Sequence, residues 1–117
     1  MSASSQQKAN SEDLIRNLRQ IATNIQQKHS ATLSKIKYPL LFEIKLPDGE
    51  RVFFLISQNT IKQVEQDNSS VDRVEISYKD LIRLLEKPSR APRYAFQGRL
   101  KIKGDFGKIM STLKSLL

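Results

Sequence analysis

The sequence predicts an α+β domain: a five-stranded, mainly antiparallel sheet covered by helices. Three observations carry this. Residues 40–76 hold four short runs of β-type residues separated by turn signals. Segments near 11–28, 78–87 and 106–117 repeat apolar residues at three- and four-residue spacing, the period of an amphipathic helix. Between Gly98 and Gly104, Leu100 and Ile102 alternate with Arg99, Lys101 and Lys103, as in a strand with one buried and one cationic face. A chain of 117 residues is one domain, and at that size roughly 65% of the unfolded surface is buried on folding.

Residues 1–9 lack periodicity and are expected to form a disordered tail, leaving 10–117 as the domain. A helix follows, capped by Asn10 or Ser11, with Glu12 and Asp13 in its first turn. Leu14, Ile15, Leu18, Ile21, Ala22 and Ile25 form its apolar face. Residues 29–37 read as a polar linker. Leu40–Leu46 is a strand with Phe42, Ile44 and Leu46 on one face. Pro47-Asp48-Gly49-Glu50 is a turn in which Pro presets φ and Gly accepts a positive value. Arg51–Ser57 returns with apolar residues on both faces, so it is expected to be central. A weaker strand spans 60–65. The polar segment 66–70, with the sequon Asn68-Ser69-Ser70, leads to a fourth strand at 71–76.

Ser77 and Asp80 fit a capping box at the head of a helix carrying Leu81, Ile82, Leu84 and Leu85. That helix stops at Lys87, because the residue before Pro88 resists helical backbone angles. Pro92 opens a short helix that Gly98 ends. The fifth strand and a terminal helix follow, the latter carrying Phe106, Ile109, Met110, Leu113, Leu116 and Leu117. Short turns between the first four strands predict an antiparallel meander, with the fifth strand joining by a crossover.

Composition removes several functions. There is no Cys and a single His, His29, which lies in the polar linker. Disulfides, thiolate chemistry and multi-histidine metal sites are excluded. The serines lack a paired base, and Gly98 and Gly104 are separated by a strand, so they do not cradle a phosphate. Neither an enzyme nor a cofactor is expected. No apolar run approaches the ~20 residues of a membrane span. The N-terminus has no secretory h-region, which points to a cytoplasmic protein.

The net charge of +8 is uneven: residues 87–117 hold eight Lys/Arg against the single acid Asp105. Arg90, Arg93, Arg99, Lys101 and Lys103 therefore form a candidate contact for an anionic surface. A phosphate backbone fits the same row. However, Phe53, Phe54, Phe96 and Phe106 fall at apolar-periodic positions rather than on a stacking platform, which argues against nucleic acid. The Met110 and Phe106 stripe reads as ordinary core or as the cover of an apolar pocket, since Met repacks readily around varied shapes.

The run Phe96-Gln97-Gly98-Arg99-Leu100-Lys101-Ile102-Lys103-Gly104-Asp105 resembles the signature of the sterol carrier protein family. The Asp48-Gly49 hairpin and the Ser77–Leu81 segment agree with that pattern. The resemblance implies an apolar tunnel between sheet and helices that takes sterols, fatty acyl chains or acyl-CoA without catalysis. Carried over by position, Phe96, Gln97, Leu100, Ile102, Phe106 and Met110 become candidate tunnel residues, with Gln97 as a polar contact. Phe54, Leu81, Leu85 and Leu113 complete the candidate wall. Two features depart from the family: the chain ends Ser115-Leu116-Leu117, which is not a Ser-Lys-Leu peroxisomal address, and the loop before the fourth strand is short. The expected partners are a lipid or fatty acyl ligand and, peripherally, an anionic membrane. The alternative is a basic scaffold with a closed tunnel that binds protein or nucleic acid.

Overall fold

Five consecutive residues of the first strand, β1 (Leu40–Lys45), are buried, Leu40 through Ile44. A strand buried on both faces belongs inside a sheet, and β1 is the middle strand. The computed structural model describes residues 3–65 and 71–117, with side chains from Ser11 onward. The segment 66–70 and its sequon lie outside the described residues.

β2 (Arg51–Ser57) and β3 (Thr60–Val64) follow β1 as antiparallel neighbours. Gly49 at φ +92° and Asn59 at φ +68° make the two tight turns. β4 (Asp72–Ser77) does not extend this meander. It pairs parallel to β1, with Phe42 beside Val74 and Ile44 beside Ile76, and β5 (Leu100–Lys103) pairs antiparallel to β4. The order is β3-β2-β1-β4-β5, so the expected four-strand meander stops at three. The reason is burial: β1 needs a neighbour on each side, whereas β3 carries only Ile61 and Val64 as large apolar residues and sits at the edge. The sheet remains mainly antiparallel, with one parallel pair. β2 is interior as expected, burying Val52, Phe54 and Ile56 and half-burying Phe53 and Leu55.

The helices cover the face that bears Phe42, Ile44, Phe54, Ile56, Val74, Ile76 and Leu100. α1 (Ala3–Lys28) begins well ahead of the expected cap at Asn10 or Ser11. The preceding run is rich in Gln, Lys and Ala, which carry little helical penalty. Ser11 does not cap; it is buried, and its hydroxyl donates to Asp48 Oδ2, tying α1 to the first hairpin. That hydrogen bond, with a second from the Glu50 N–H, lowers the Asp48 pKa below its ordinary value.

The expected polar linker contains a second short helix, α2 (Ser30–Ser34), which delivers Leu33 to the core with no exposed surface. One apolar residue among polar ones has no period, so the helix leaves no pattern to read. Its Leu33 and Ser34 carbonyls accept from Asn59 N (3.1 Å) and Gln58 Nε2 (3.1 Å), seating α2 on the β2–β3 turn.

α3 (Tyr78–Glu86) starts as expected, with the Asp80 N–H donating to Ser77 Oγ at 3.2 Å. After a 3-10 turn at Pro88–Arg90, α4 (Ala91–Phe96) buries Ala91 and Tyr94. Gly104, at φ +128°, turns the chain into α5 (Phe106–Leu116); an added Cβ there would lie 2.2 Å from Asp72 Oδ1.

Candidate functional site

Four elements converge on one apolar hollow. α1 contributes Leu18, Ile21, Ala22 and Ile25; the sheet contributes Phe42, Ile44, Phe54, Ile56 and Ile61; α3 contributes Leu81 and Leu85; and the C-terminal end contributes Leu113, Leu116 and Leu117. Every lining residue is aliphatic or phenylalanine, so the hollow offers nothing for a polar ligand to bond. Its volume is about 60 Å³, far below the roughly 300–1,000 Å³ of pockets that enclose small-molecule ligands. At that size the hollow does not enclose an acyl chain or a sterol.

Of the residues singled out in the sequence, Phe54, Leu81, Leu85 and Leu113 line this hollow. Leu100 and Met110 are core residues beside it, 1% and 7% exposed, and Ile102 is half-buried against the same core. Phe96, Gln97 and Phe106 lie on the surface, with Phe96 95% and Phe106 56% exposed. For Phe96 the cause is helical phase. Ala91 and Tyr94 face the core, and two residues beyond Tyr94 is about 200° around the helix. Phe106 is the first residue of α5, one turn ahead of the buried Ile109.

Sequence reasoning placed the α1 residues on an apolar face but not at this hollow. Three- and four-residue spacing identifies the buried side of a helix, not which part of a core stays unfilled.

The basic row divides. Leu100 pairs with Ile76 and Ile102 with Val74 on the covered face, which sends Lys101 and Lys103 to the other. The Lys103 ammonium lies 3.1 Å from Glu75, and the Arg99 guanidinium stands 5.4 Å over the Tyr94 ring. Arg93, Arg99 and Lys101 are exposed around Phe96 in sequence, while Arg90 is half-buried.

At the centre of the opposite face, where Leu41 is also buried, Glu43 lies 3.3 Å from Arg73 and 3.8 Å from Arg51. Burial is the main cause that raises the Glu43 pKa, followed by its hydrogen bond with Glu75. Burial also acts to raise Glu75, but the hydrogen bond with Glu43 and the contact with Lys103 outweigh it, and Glu75 is lowered. Among the described residues, no group of acids and histidine is arranged to hold a metal, and no helix is long and apolar enough to cross a membrane.

The five-stranded sheet and its helical cover agree with the resemblance noted above, and a profile comparison decides it: that of the SCP-2 sterol transfer family matches residues 18–117. The chain belongs to this family. Its fold is that of the lipid-binding and transfer domains grouped there. No curated protein sequence matches the chain. Among solved structures, it is similar to apo sterol carrier protein 2 from Yarrowia lipolytica, with TM-score 0.60 and 19% identity over 89% of this chain and 87% of that one. The sterol carrier protein domain 2 of Helicoverpa armigera gives TM-score 0.61 and 15% identity over 86% and 80%. Palmitated SCP2L2 from Aedes aegypti gives TM-score 0.59 and 14% identity over 79% and 90%. In this SCP-2 domain the apolar hollow beneath the helices measures about 60 Å³.

Proposed function

We propose that this protein binds and transfers an apolar ligand, a fatty acyl chain or sterol-like lipid, without catalysing a reaction on it. The observation that carries the reading is the hollow lined only by hydrocarbon side chains at the junction of α1, the sheet, α3 and α5, in a chain of the SCP-2 family. The palmitated relative from Aedes aegypti supports an acyl chain as the ligand class. A hollow of about 60 Å³ has to widen to admit such a chain. Burying a methylene contributes about 0.8 kcal/mol, so ten of them supply ~8 kcal/mol. That matches a micromolar Kd before the cost of parting the elements is subtracted.

α5 is the element best placed to move. Its side-chain hydrogen bonds stay within its own helical segment: Thr112 to the Lys108 carbonyl and Ser115 to the Ser111 carbonyl. Packing of Ile109, Met110, Leu113 and Leu116 holds it down. α1, by contrast, is tied by Asn17 to Tyr78 (2.6 Å), Arg19 to Gln63 (2.6 Å) and Gln26 Oε1 to the Ile61 N–H (2.9 Å).

Delivery would use the basic end of the molecule. Phe96 is exposed, as are Arg93, Arg99 and Lys101, which flank it in the sequence. An exposed aromatic flanked by cations suits the interface of an anionic bilayer, where each Lys or Arg near the surface contributes roughly 1 kcal/mol. Native mass spectrometry of freshly purified protein tests the carrier reading. A bound species heavier than the 13.4 kDa chain by the mass of a lipid is expected. A bare chain that also takes up no added fatty acid would overturn it.

A further inference from the structure

α5 has a second flank. Leu113 and Leu116 point to the core, while Gly107, Lys108, Ile109, Ser111, Thr112 and Ser115 line one wall of a groove of about 640 Å³ whose other wall is the segment from Thr32 to Leu40. No residue lines both this groove and the apolar hollow, so the two are chemically and spatially separate.

Three lysines line the groove, Lys35, Lys37 and Lys108, against one acidic residue, Asp72. Asp72 is turned toward Gly104, whose missing side chain leaves room for it. Tyr38 is 64% exposed at the groove, and the Lys108 ammonium rests 4.6 Å from its ring centroid. That contact draws two long side chains, one from each wall, together across the opening. Thr32 and Ser111 place hydroxyl groups along the walls. Positive charge and hydroxyl groups beside Ile36, Pro39, Leu40 and Ile109, in a volume within the range of small-molecule sites, describe a mixed pocket able to hold an anionic group.

We propose that this groove is a second binding site, for a small molecule bearing a phosphate group, with Lys35, Lys37 and Lys108 contacting the phosphate oxygens and Tyr38 closing over the bound group. The phosphate can belong to a soluble compound or to a lipid headgroup.

The test is an NMR titration of the isotope-labelled full chain with inorganic pyrophosphate and, separately, with a short-chain, water-soluble phosphatidic acid. Amide shifts confined to residues 35–39 and 107–115 are expected with at least one probe. Pyrophosphate alone would identify a soluble phosphate ligand; phosphatidic acid alone would identify a headgroup. The double variant K37E/K108E should weaken binding by about tenfold or more, as loss of charge-assisted contacts demands. Fatty acid uptake in that variant should be unchanged, which separates this site from the apolar one. Should charge reversal unfold the domain, Thr112→Trp obstructs the groove without altering charge and must also block binding. No shifts with either probe at millimolar concentration, shifts centred on Arg90–Lys103 instead, or unchanged affinity in a folded variant would each overturn the assignment.

Discussion

Glu43 and Glu75 stand opposite each other on parallel neighbours, and their side chains are only 8% and 21% exposed. Burial first, and then the neighbouring Glu75, raise the Glu43 pKa above its ordinary value. The sign of the pH effect follows. Between the ordinary glutamate value of about 4.5 and its raised value, Glu43 binds its proton more strongly in the folded chain than in the unfolded one. Stability from this residue therefore falls as pH rises through its raised value. Glu75, lowered, contributes stability that is lost as pH falls below the ordinary value. Glu43→Gln supplies an amide donor to Glu75 without a titrating proton. In thermal unfolding between pH 4.5 and 7.5, the wild type should lose stability relative to this variant as pH rises. Parallel profiles would contradict the raised pKa of Glu43. The pair is not legible in the sequence, because it depends on β4 lying parallel to β1 where short turns point to a meander.

At the scale of elements, the strongly periodic segments were readable. The Arg51–Ser57 strand, the Tyr78 start of α3, the two faces of β5 and the Phe106 start of α5 fall where alternation, capping and glycine place them. What escaped was whatever lacks a period. α2 rests on Leu33 alone, and its position is set by contacts with the distant β2–β3 turn. Leu33→Ala should therefore cost about 2–5 kcal/mol, the range for truncating a buried leucine, measured by urea denaturation. A loss below about 0.5 kcal/mol, the scale of a surface substitution, would mean that α2 is not part of the core.

The α4–β5 turn carries the opposite error. Phe96 has the chemistry of a core residue and the position of a surface one. Phe96→Ser should leave the thermal midpoint unchanged and reduce binding to anionic phospholipid vesicles by about tenfold, a modest loss for an interfacial aromatic. Equal partitioning of wild type and variant in a sedimentation assay would remove Phe96 from any membrane contact.

For the whole molecule, the family-level architecture was readable from a short glycine-bracketed run together with the order of elements. The state of the interior was not. Apolar periodicity describes a packed core and the wall of a cavity in the same way, and only side-chain volumes in three dimensions separate them. Here they nearly fill the space and leave about 60 Å³. Ala22, 8% exposed and on the wall of that hollow, is the smallest residue there. Ala22→Leu adds three carbons where room exists. It should keep or raise the thermal midpoint, because filling a void restores contacts worth about 1 kcal/mol per methyl-sized gap. The same change should suppress uptake of a fluorescent fatty acid. A variant that is less stable by more than about 2 kcal/mol would show the hollow to be overpacked already.

The claim on which the rest depends is that the junction of α1, the sheet, α3 and α5 widens around a hydrocarbon chain. Titration of the methyl-labelled protein with palmitate tests this directly. The account predicts saturable shifts of the Ile21, Ile25, Leu85 and Leu113 methyl groups, with intermolecular NOEs to the acyl chain. Methyl signals that stay fixed while the acyl chain shows contacts only to surface residues would contradict it.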